Sequence, residues 1–398
     1  MRPFDGRRVL LVVSGSIAAY KSAALARRLR EAGARVDVVM TRSAEKLVGR
    51  ATFEALTGRP VHTDLWERPL AHIELGREAD LAIVAPATAH IMARLAGGLA
   101  DDLATSTLLA ADCPVLVCPA MNVRMWRHPA TRANAAVLRE HGCRLAGPDE
   151  GALAEAEEGP GRMVEPGRIL AEAGRLLEPE SPLAGRRVVV TAGPTRAAID
   201  PVRYVGNRSS GRMGYALAAS AWRRGADVVL ISGPAKPEPP PGPRFVGVET
   251  AEAMLASLRE ELESASVLLM AAAVGDFRLE APAASKIKKG SGGSLDLSLV
   301  PGPDLLAETL EQRRERNVLT LGFALETDAP VENALAKLEA KGMDLVALNV
   351  AAEDAGFDAE TNRVTLIDGR GGREELPLLP KEEVADRLLD RLEERLRV

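Results

Sequence analysis

The chain has 398 residues, 46% of them hydrophobic, 27% charged and only 3% aromatic, which is too long for one ordinary core and suits two domains of about 180 residues each, packed with Ala, Val, Leu and Ile. A net charge of −5, from 51 basic and 56 acidic residues mixed along the chain, argues against a nucleic-acid surface. Three cysteines (Cys113, Cys118 and Cys143) without metal-type spacing, no signal-like leader, and no apolar run near the ~18 residues of a membrane helix predict a soluble protein of a reducing cytoplasm.

In chain order, Gly6-Arg7-Arg8 leads into an apolar strand, Val9 to Val13, then a glycine turn and helical spacing from Ser22 to Glu31. Gly33 ends that helix, and Val36 to Met40 is the next strand. Leu81 to Ala85 reads as a strand broken by Pro86, and Val115 to Cys118 as one broken by Pro119, with helices at Ile91–Leu95 and Asp101–Ala110 between them. Gly151 to Gly161 is rich in glycine and acid without periodicity, which predicts a mobile loop or flap. Ile169 to Leu177 is a helix, and Glu178 to Pro182 the best linker candidate.

The opening then repeats. Gly185-Arg186-Arg187 leads into Val188–Val190 and a second glycine turn, Thr191 to Thr195, followed by a helix near Met213–Arg224 and a strand at Val228–Ile231. Gly233 to Pro243 holds six prolines and reads as an extended loop. Strands follow at Val267–Met270, Leu319–Leu321 and Leu345–Leu348, with a helix at Val331–Lys341. Strand–helix alternation predicts an α/β fold, two tandem three-layer domains with mainly parallel sheets and ligands at the carboxyl ends of the strands. The expected boundaries are 1–177, a linker at 178–184, and 185–398.

A strand feeding a helix through glycine gathers unpaired N–H groups and the positive helix end at one point, a natural phosphate site. The first turn, Gly15-Ser16-Ile17-Ala18-Ala19-Tyr20, lacks the G-x-G-x-x-G of dinucleotide readers. The second strand ends in Thr41-Arg42-Ser43 rather than in a ribose-binding acid. Such a pocket suits a terminal phosphate, hence a mononucleotide; an ordinary strand–helix turn is the alternative.

Pro119-Ala120-Met121-Asn122-Val123-Arg124-Met125-Trp126 places an amide at a strand tip, able to hold a carboxylate without charging it. This octapeptide resembles the PxMNxxMW motif of the flavin-dependent cysteine decarboxylases, as does Gly15 to Lys21. Ala85 to Ala89 with Leu95 to Asp102 resembles the family's flavin loop, with His90 where the family usually has Asn, and His72 falls at the family's active-site histidine. The resemblance implies a flavodoxin-like domain that binds FMN through Gly15, Ser16, Ile17, Thr41, Ser43, Thr88, Ala89, His90 and Ala120. It also implies oxidation of a substrate thiol to a thioaldehyde, which labilises the adjacent carboxylate. Asn122 would bind that carboxylate, and His72 would position it or move a proton. The family's flap cysteine is replaced by Glu155; a carboxyl with a raised pKa could donate the proton, and a solvated acidic loop with water as donor is the other reading.

In the second half, Thr191 to Arg196, Ile199 to Arg203 and Asn207 to Gly214 form a polar cluster, and Ser209-Ser210-Gly211 can offer hydroxyls and amides to phosphate at a helix start. Lys286-Ile287-Lys288-Lys289 is a solvated loop or a crude nucleic-acid patch as a bare charge run, but the acidic chain and preceding Asp276-Phe277 favour a triphosphate clamp. These motifs, with Gly322 to Thr327, Lys337 with Lys341, and Gly356-Phe357 through Val364, resemble phosphopantothenate–cysteine ligase. Together the halves resemble the bifunctional bacterial coenzyme A biosynthesis proteins over nearly the full length.

That resemblance implies a Rossmann-like domain joining 4′-phosphopantothenate to cysteine through an acyl-cytidylate, with CTP and Mg²⁺. Arg203 and Asn207 would stabilise the acyl-cytidylate, and Lys286 and Lys289 would contact phosphates. Asp276, Phe323, Lys337 and Lys341 would complete the nucleotide site, walled by Met270, Ala271 and Ala272 and by Pro303, Asp304, Leu305 and Leu306. Lys337 and Lys341, four apart, also read as one exposed helix face. The resemblance gives no metal ligand, and implies a homo-oligomer with flavin sites shared between subunits. The competing readings are a flavin-binding regulatory protein with an impaired decarboxylase, and an NAD-dependent reductase, which the missing acidic strand tips oppose.

Overall fold

The structure, a computed structural model, describes residues 3–152, 157–288, 295–326, 330–350 and 359–397. The chain divides into two units between Pro179 and Glu180.

The first unit is built on β1 (Arg8–Val13), β2 (Arg35–Met40), β3 (Val61–His62), β4 (Leu81–Ala87), β5 (Val115–Pro119) and β6 (Arg144–Leu145), all parallel, in the order β3-β2-β1-β4-β5-β6. Apart from the two-residue edge strand β3, that is the flavodoxin-like order. Alternate residues of β1 feed two cores. Val9, Leu11 and Val13 face Leu25, Leu29, Phe53 and Ile169 on one side. Leu10 and Val12 face Leu75, Met92, Leu103 and Leu138 on the other. Burial on both faces is why these strands are apolar runs rather than alternating ones.

Two expectations change here. β4 continues through Pro86 to Ala87, because the proline sits at a register shift between Val84 and Ala87, where no ladder N–H is needed. The expected loop over Gly151–Gly161 is an antiparallel hairpin, β7 (Asp149–Ala152) with β8 (Glu158–Arg162). Glycine, alanine and proline carry no alternation of polarity, so the pairing left no periodic trace.

The strands of the second unit are β9 (Arg187–Ala192), β10 (Arg196–Ala198), β11 (Tyr204–Gly206), β12 (Asp227–Ser232), β13 (Arg244–Gly247), β14 (Val267–Met270), β15 (Phe277–Leu279), β16 (Leu299–Pro301), β17 (Leu319–Glu326), β18 (Leu345–Val350), β19 (Thr361–Asn362), β20 (Val364–Asp368), β21 (Arg373–Glu375) and β22 (Leu379–Pro380). The main sheet runs β13-β12-β9-β14-β17-β18-β20-β21. Its first six strands are parallel, in the doubly wound order, and β20 and β21 extend it antiparallel. β10–β11 and β15–β16 are separate two-stranded ribbons.

The helix Lys381–Leu396 closes one face, with Val384, Ala385, Leu388, Leu389 and Leu392 fully buried. Each large apolar side chain so buried contributes about 1.5–3 kcal/mol. Asp386 on this helix bonds Ser220 and Arg223, and Arg224 pairs with Asp390 at 2.7 Å. Part of the expected linker folds with this unit: Leu183 is wholly buried in its core, and Ser181 Oγ donates to Glu393 Oε1 at 2.6 Å.

Candidate functional site

In each unit the glycine turn and several of the motif loops lie at the carboxyl ends of the parallel strands. In the first, the β1 turn presses on the loop after β2: a Cβ added to Gly15 would lie 2.4 Å from Ser43 Cβ, so only glycine fits. Ser14 Oγ donates to the Pro86 carbonyl at 2.7 Å and accepts the Thr88 N–H at 3.2 Å, joining the loops after β1 and β4. Thr41 and Thr88 cap the short helices that follow them, accepting the N–H groups of Ala44 and Ile91. Asn122 caps Val123–Arg127 through Oδ1, which accepts the Arg124 N–H at 2.8 Å.

Two cavities flank the turn. One, of about 440 Å³, is lined by Ser16, Ile17, Tyr20, Lys21, Ala120, Asn122 and Arg162, among others. The other, of about 380 Å³, is lined by Gly15, Thr41, Ser43, Trp66, His90 and Asp102, among others. Thr88 meets the second of these through Ser14, and Ala89 starts the helix that carries His90. The β7–β8 hairpin closes on the Asn122 loop, where the Met121 N–H donates to the Gly161 carbonyl at 3.0 Å. A Cβ on Gly161 would stand 2.2 Å from Met121 O, so this contact too demands glycine.

His72 is not brought into either lining. It sits on the helix Ala71–Glu78 with Nδ1 buried and without a hydrogen-bond partner among the described residues. Glu155 lies outside the described residues. Three residues not singled out from the sequence join this site. Ser14 is one. Lys21, nearly buried, donates to Met163 O at 3.1 Å and Glu165 Oε1 at 2.8 Å, and this bond holds the Glu165 carboxyl below its usual range. Glu157 accepts from Asn122 Nδ2 and pairs with Arg124, both at 3.0 Å. The only advance signal was Lys21, which ends the Gly15–Lys21 motif.

In the second unit a cavity of about 280 Å³ is lined by Thr195, Arg196, Asn207, Asp276, Phe277 and Pro303, among others. Asn207 Nδ2 donates to Val274 O at 2.9 Å and Ala273 O at 3.3 Å, and Thr195 Oγ1 accepts the Gly275 N–H at 2.9 Å. Met270, Ala271 and Ala272 lead from β14 into that loop, fastened by the Ala272 N–H on Thr191 Oγ1 at 3.3 Å. Gly211 is left-handed, φ 78°, at the start of the helix Arg212–Arg223, and its N–H meets Ser209 Oγ at 3.3 Å.

Asp304 caps Leu305–Glu308 and pairs with Lys341 at 3.1 Å. Burial opposes its ionisation, but the Ala307 N–H and Lys341 outweigh that and hold its pKa below normal. Leu305 is buried and Leu306 packs beside it. Phe323 lies half-buried in β17.

Other members of the expected set are placed differently. The helix carrying Lys337 ends at Ala340, so Lys341 turns to Asp304 instead of sharing an exposed face with Lys337. Neither lysine lines the cavity. Arg203, expected to face the acyl-cytidylate, gives Nε to Asp200 Oδ2 at 3.0 Å and Nη2 to Ile287 O at 2.8 Å. Lys286 is exposed beside that contact, and Lys289 lies outside the described residues. Arg313 is a buried hub whose guanidinium donates to the carbonyls of Leu306, Lys341 and Gly342 at 2.8, 2.6 and 2.9 Å. Nothing in the charged run Glu311–Arg316 marks which arginine turns inward. Among the described residues no cluster of three His, Cys, Asp or Glu could hold a metal ion, and no helix is long and apolar enough to cross a membrane.

The family described as "Flavoprotein" matches residues 2–177, and the "DNA/pantothenate metabolism flavoprotein C-terminal domain" matches residues 183–396. The coenzyme A biosynthesis bifunctional protein CoaBC of Bacillus subtilis is 44% identical over 98% of this chain and 97% of its own length. The chain belongs to the CoaBC family. The CoaBC protein of Vibrio vulnificus is 40% identical over 99% of both chains. A crystal structure of a CoaBC C-terminal domain aligns with TM-score 0.47 and 35% identity over 55% of this chain and 99% of that one. A PPC decarboxylase mutant complexed with pantothenoylaminoethenethiol aligns with TM-score 0.39 and 35% identity, over 42% and 96%. Members of the CoaBC family are bifunctional enzymes of coenzyme A biosynthesis, and this chain carries both the decarboxylase and the ligase domain. A regulatory flavin-binding protein or a nicotinamide-dependent reductase is not favoured.

Proposed function

We propose that the second domain condenses 4′-phosphopantothenate with cysteine at the expense of CTP and Mg²⁺, and that the first uses FMN to decarboxylate the product to 4′-phosphopantetheine. The observation that carries this reading is that each domain has its own strand-end cavity, lined by its own motif residues.

In the ligase step a carboxylate oxygen attacks the α-phosphorus of CTP, and the α–β bridging bond breaks to release pyrophosphate. The cysteine amine then attacks the acyl carbon, loses a proton and displaces CMP. Asn207, whose two amide hydrogens are held by the Ala273 and Val274 carbonyls, would turn one of them to the acyl-cytidylate as a neutral donor when substrate binds. Lys286 meets the triphosphate, with Asp276, Phe323, Lys337 and Lys341 and the Met270–Ala272 and Pro303–Leu306 walls around the nucleotide. Mg²⁺ would be held by the CTP phosphates, the usual mode for this ion, and would supply charge neutralisation there.

The first domain fits FMN: Gly15 lets the β1 turn pack on Ser43, Gly161 lets the hairpin pack on Met121, and hydroxyls of Ser16, Thr41 and Ser43 surround the turn. Bound FMN supplies a two-electron acceptor and donor for the thiol carbon. Asn122 holds the departing carboxylate through an uncharged amide, so carbon dioxide leaves without breaking an ion pair. His72 positions it or moves a proton, and Glu155 is the proposed proton donor on the flap. Exposed Ile17, Tyr20 and Trp66 on the cavity linings support a homo-oligomer in which a second copy completes the flavin site and uses His72. Three unpaired cysteines support a cytoplasmic setting.

The test is mass spectrometry of products from protein given 4′-phosphopantothenate, cysteine, CTP and Mg²⁺, with ATP in parallel. Formation of 4′-phosphopantetheine supports both halves. Accumulation of 4′-phosphopantothenoylcysteine would remove the decarboxylase reading.

A further inference from the structure

The side chain of Asp200 is fully inaccessible to solvent, and the groups it holds are backbone N–H groups and the guanidinium of Arg203. Oδ1 accepts the N–H groups of Val202 and Arg203 at 2.8 and 2.9 Å, which shapes the turn. Oδ2 accepts Arg203 Nε at 3.0 Å, Arg203 Nη2, and the Ile287 N–H at 3.1 Å. Arg203 Nη2 completes a ring by donating to Ile287 O at 2.8 Å. Both backbone groups of Ile287 are thereby held by one ion pair, 87 residues away in sequence from Asp200.

The segment that carries Ile287 has no other firm support. Residues 281–288 form neither helix nor strand, and most of them are exposed. Among the described residues its remaining backbone tether is the Ala283 N–H on Ile199 O at 2.9 Å, on the same turn. A bare lysine on such a segment would sample many positions, and a phosphate ligand is useful only when held near its working geometry. We propose that Asp200 is a positioning residue for the ligase: with Arg203 it locks Ile287 and so fixes the neighbouring Lys286 for the CTP-dependent half-reaction. The inference rests on the reading of Lys286 as a triphosphate ligand.

The pair also explains why a carboxylate is required. In Asp200→Asn, either orientation of the amide turns its NH₂ toward donors, those of the turn or those of Arg203 and Ile287. One side of the clamp then fails while side-chain size is kept.

The experiment uses the full chain and three variants: Asp200→Asn, Lys286→Gln and the double. Pyrophosphate release with CTP and 4′-phosphopantothenate is measured apart from the cysteine-dependent step. Decarboxylation of added 4′-phosphopantothenoylcysteine serves as an internal control. The expected result is a loss in kcat/KM for CTP on the order of 10²-fold for each single variant. The double variant is then no worse than either single, and KM for cysteine and decarboxylation do not change. Multiplying losses in the double variant, or an unimpaired Asp200→Asn beside an impaired Lys286→Gln, overturns the clamp alone. An unimpaired Lys286→Gln overturns the reading of Lys286 and the inference with it. If Asp200→Asn does not fold its second domain, Arg203→Lys replaces it: the charge stays, the two-pronged contact is lost, and the same non-additivity with Lys286→Gln is expected.

Discussion

Replacing Gly15 with alanine tests whether the β1 turn is the flavin's cradle. The added Cβ would sit 2.4 Å from Ser43 Cβ and 3.1 Å from the Ser43 carbonyl carbon. Ordinary contact begins near 3.4 Å, so the turn or the Ser43 loop must retreat by about 1 Å, an overpacking that costs about 1–3 kcal/mol. The Ser43 atoms are backbone or one bond from it, so no flexible side-chain end can absorb the shift. The free variant is expected to relieve the clash by opening the turn. Binding must restore it, so most of that cost falls on the bound state. The expected result is an FMN dissociation constant raised about 5- to 150-fold. The assay is quenching of flavin fluorescence on titration of protein stripped of flavin, with the flavin content of purified protein as a second reading. Wild-type affinity in this variant would falsify the assignment of the β1 turn to the flavin site.

Asn122→Asp sets a second carboxylate against Glu157, now 3.0 Å from the Asn122 amide, and should lower decarboxylation about 10²–10³-fold, as loss of one electrostatic donor does; 4′-phosphopantothenoylcysteine then accumulates while pyrophosphate release continues at the wild-type rate. Asp386→Ala strips the buried partners of Arg223 and Ser220 and should destabilise the second domain by about 3–5 kcal/mol, seen in calorimetry as an earlier transition without loss of bound flavin. The Asp200 carboxyl, held well below its ordinary value of 3.8 by Arg203, contributes stability that is full above about pH 4 and is lost as pH falls through the folded-state value. Urea midpoints of the second domain measured from pH 6 down to pH 3 should therefore decline at the acid end, and less so in Asp200→Asn; identical slopes would count against the ion pair.

How much of this was readable in advance depended on the kind of signal. Val9–Val13 and Val188–Val190 are buried on both faces, and such strands must be continuous apolar runs, so both domain openings were legible. The helix Lys381–Leu396 also left a signal, since Val384, Leu388 and Leu392 recur at helical spacing. The β7–β8 hairpin left none, because its glycines and proline pair through backbone groups that no side-chain pattern reports. Within the candidate sites, Asn122 and Asn207 stand in long motifs and could be named from them. Glu157, Asp200 and Arg313 could not, since each is one charged residue among several and only its neighbours in space distinguish it.

By itself, then, the sequence determined the two-domain α/β plan and the motif loops, because hydrophobic periodicity and glycine turns are local and are written in consecutive residues. Tertiary structure alone decided that Asp200 and Arg203 together grip Ile287 and that Lys341 turns to Asp304. It also decided that His72 stays outside the two cavities that flank the β1 turn. Those outcomes depend on which distant segments meet when the sheets close, and contacts between segments so far apart in sequence leave no spacing in the chain to be read.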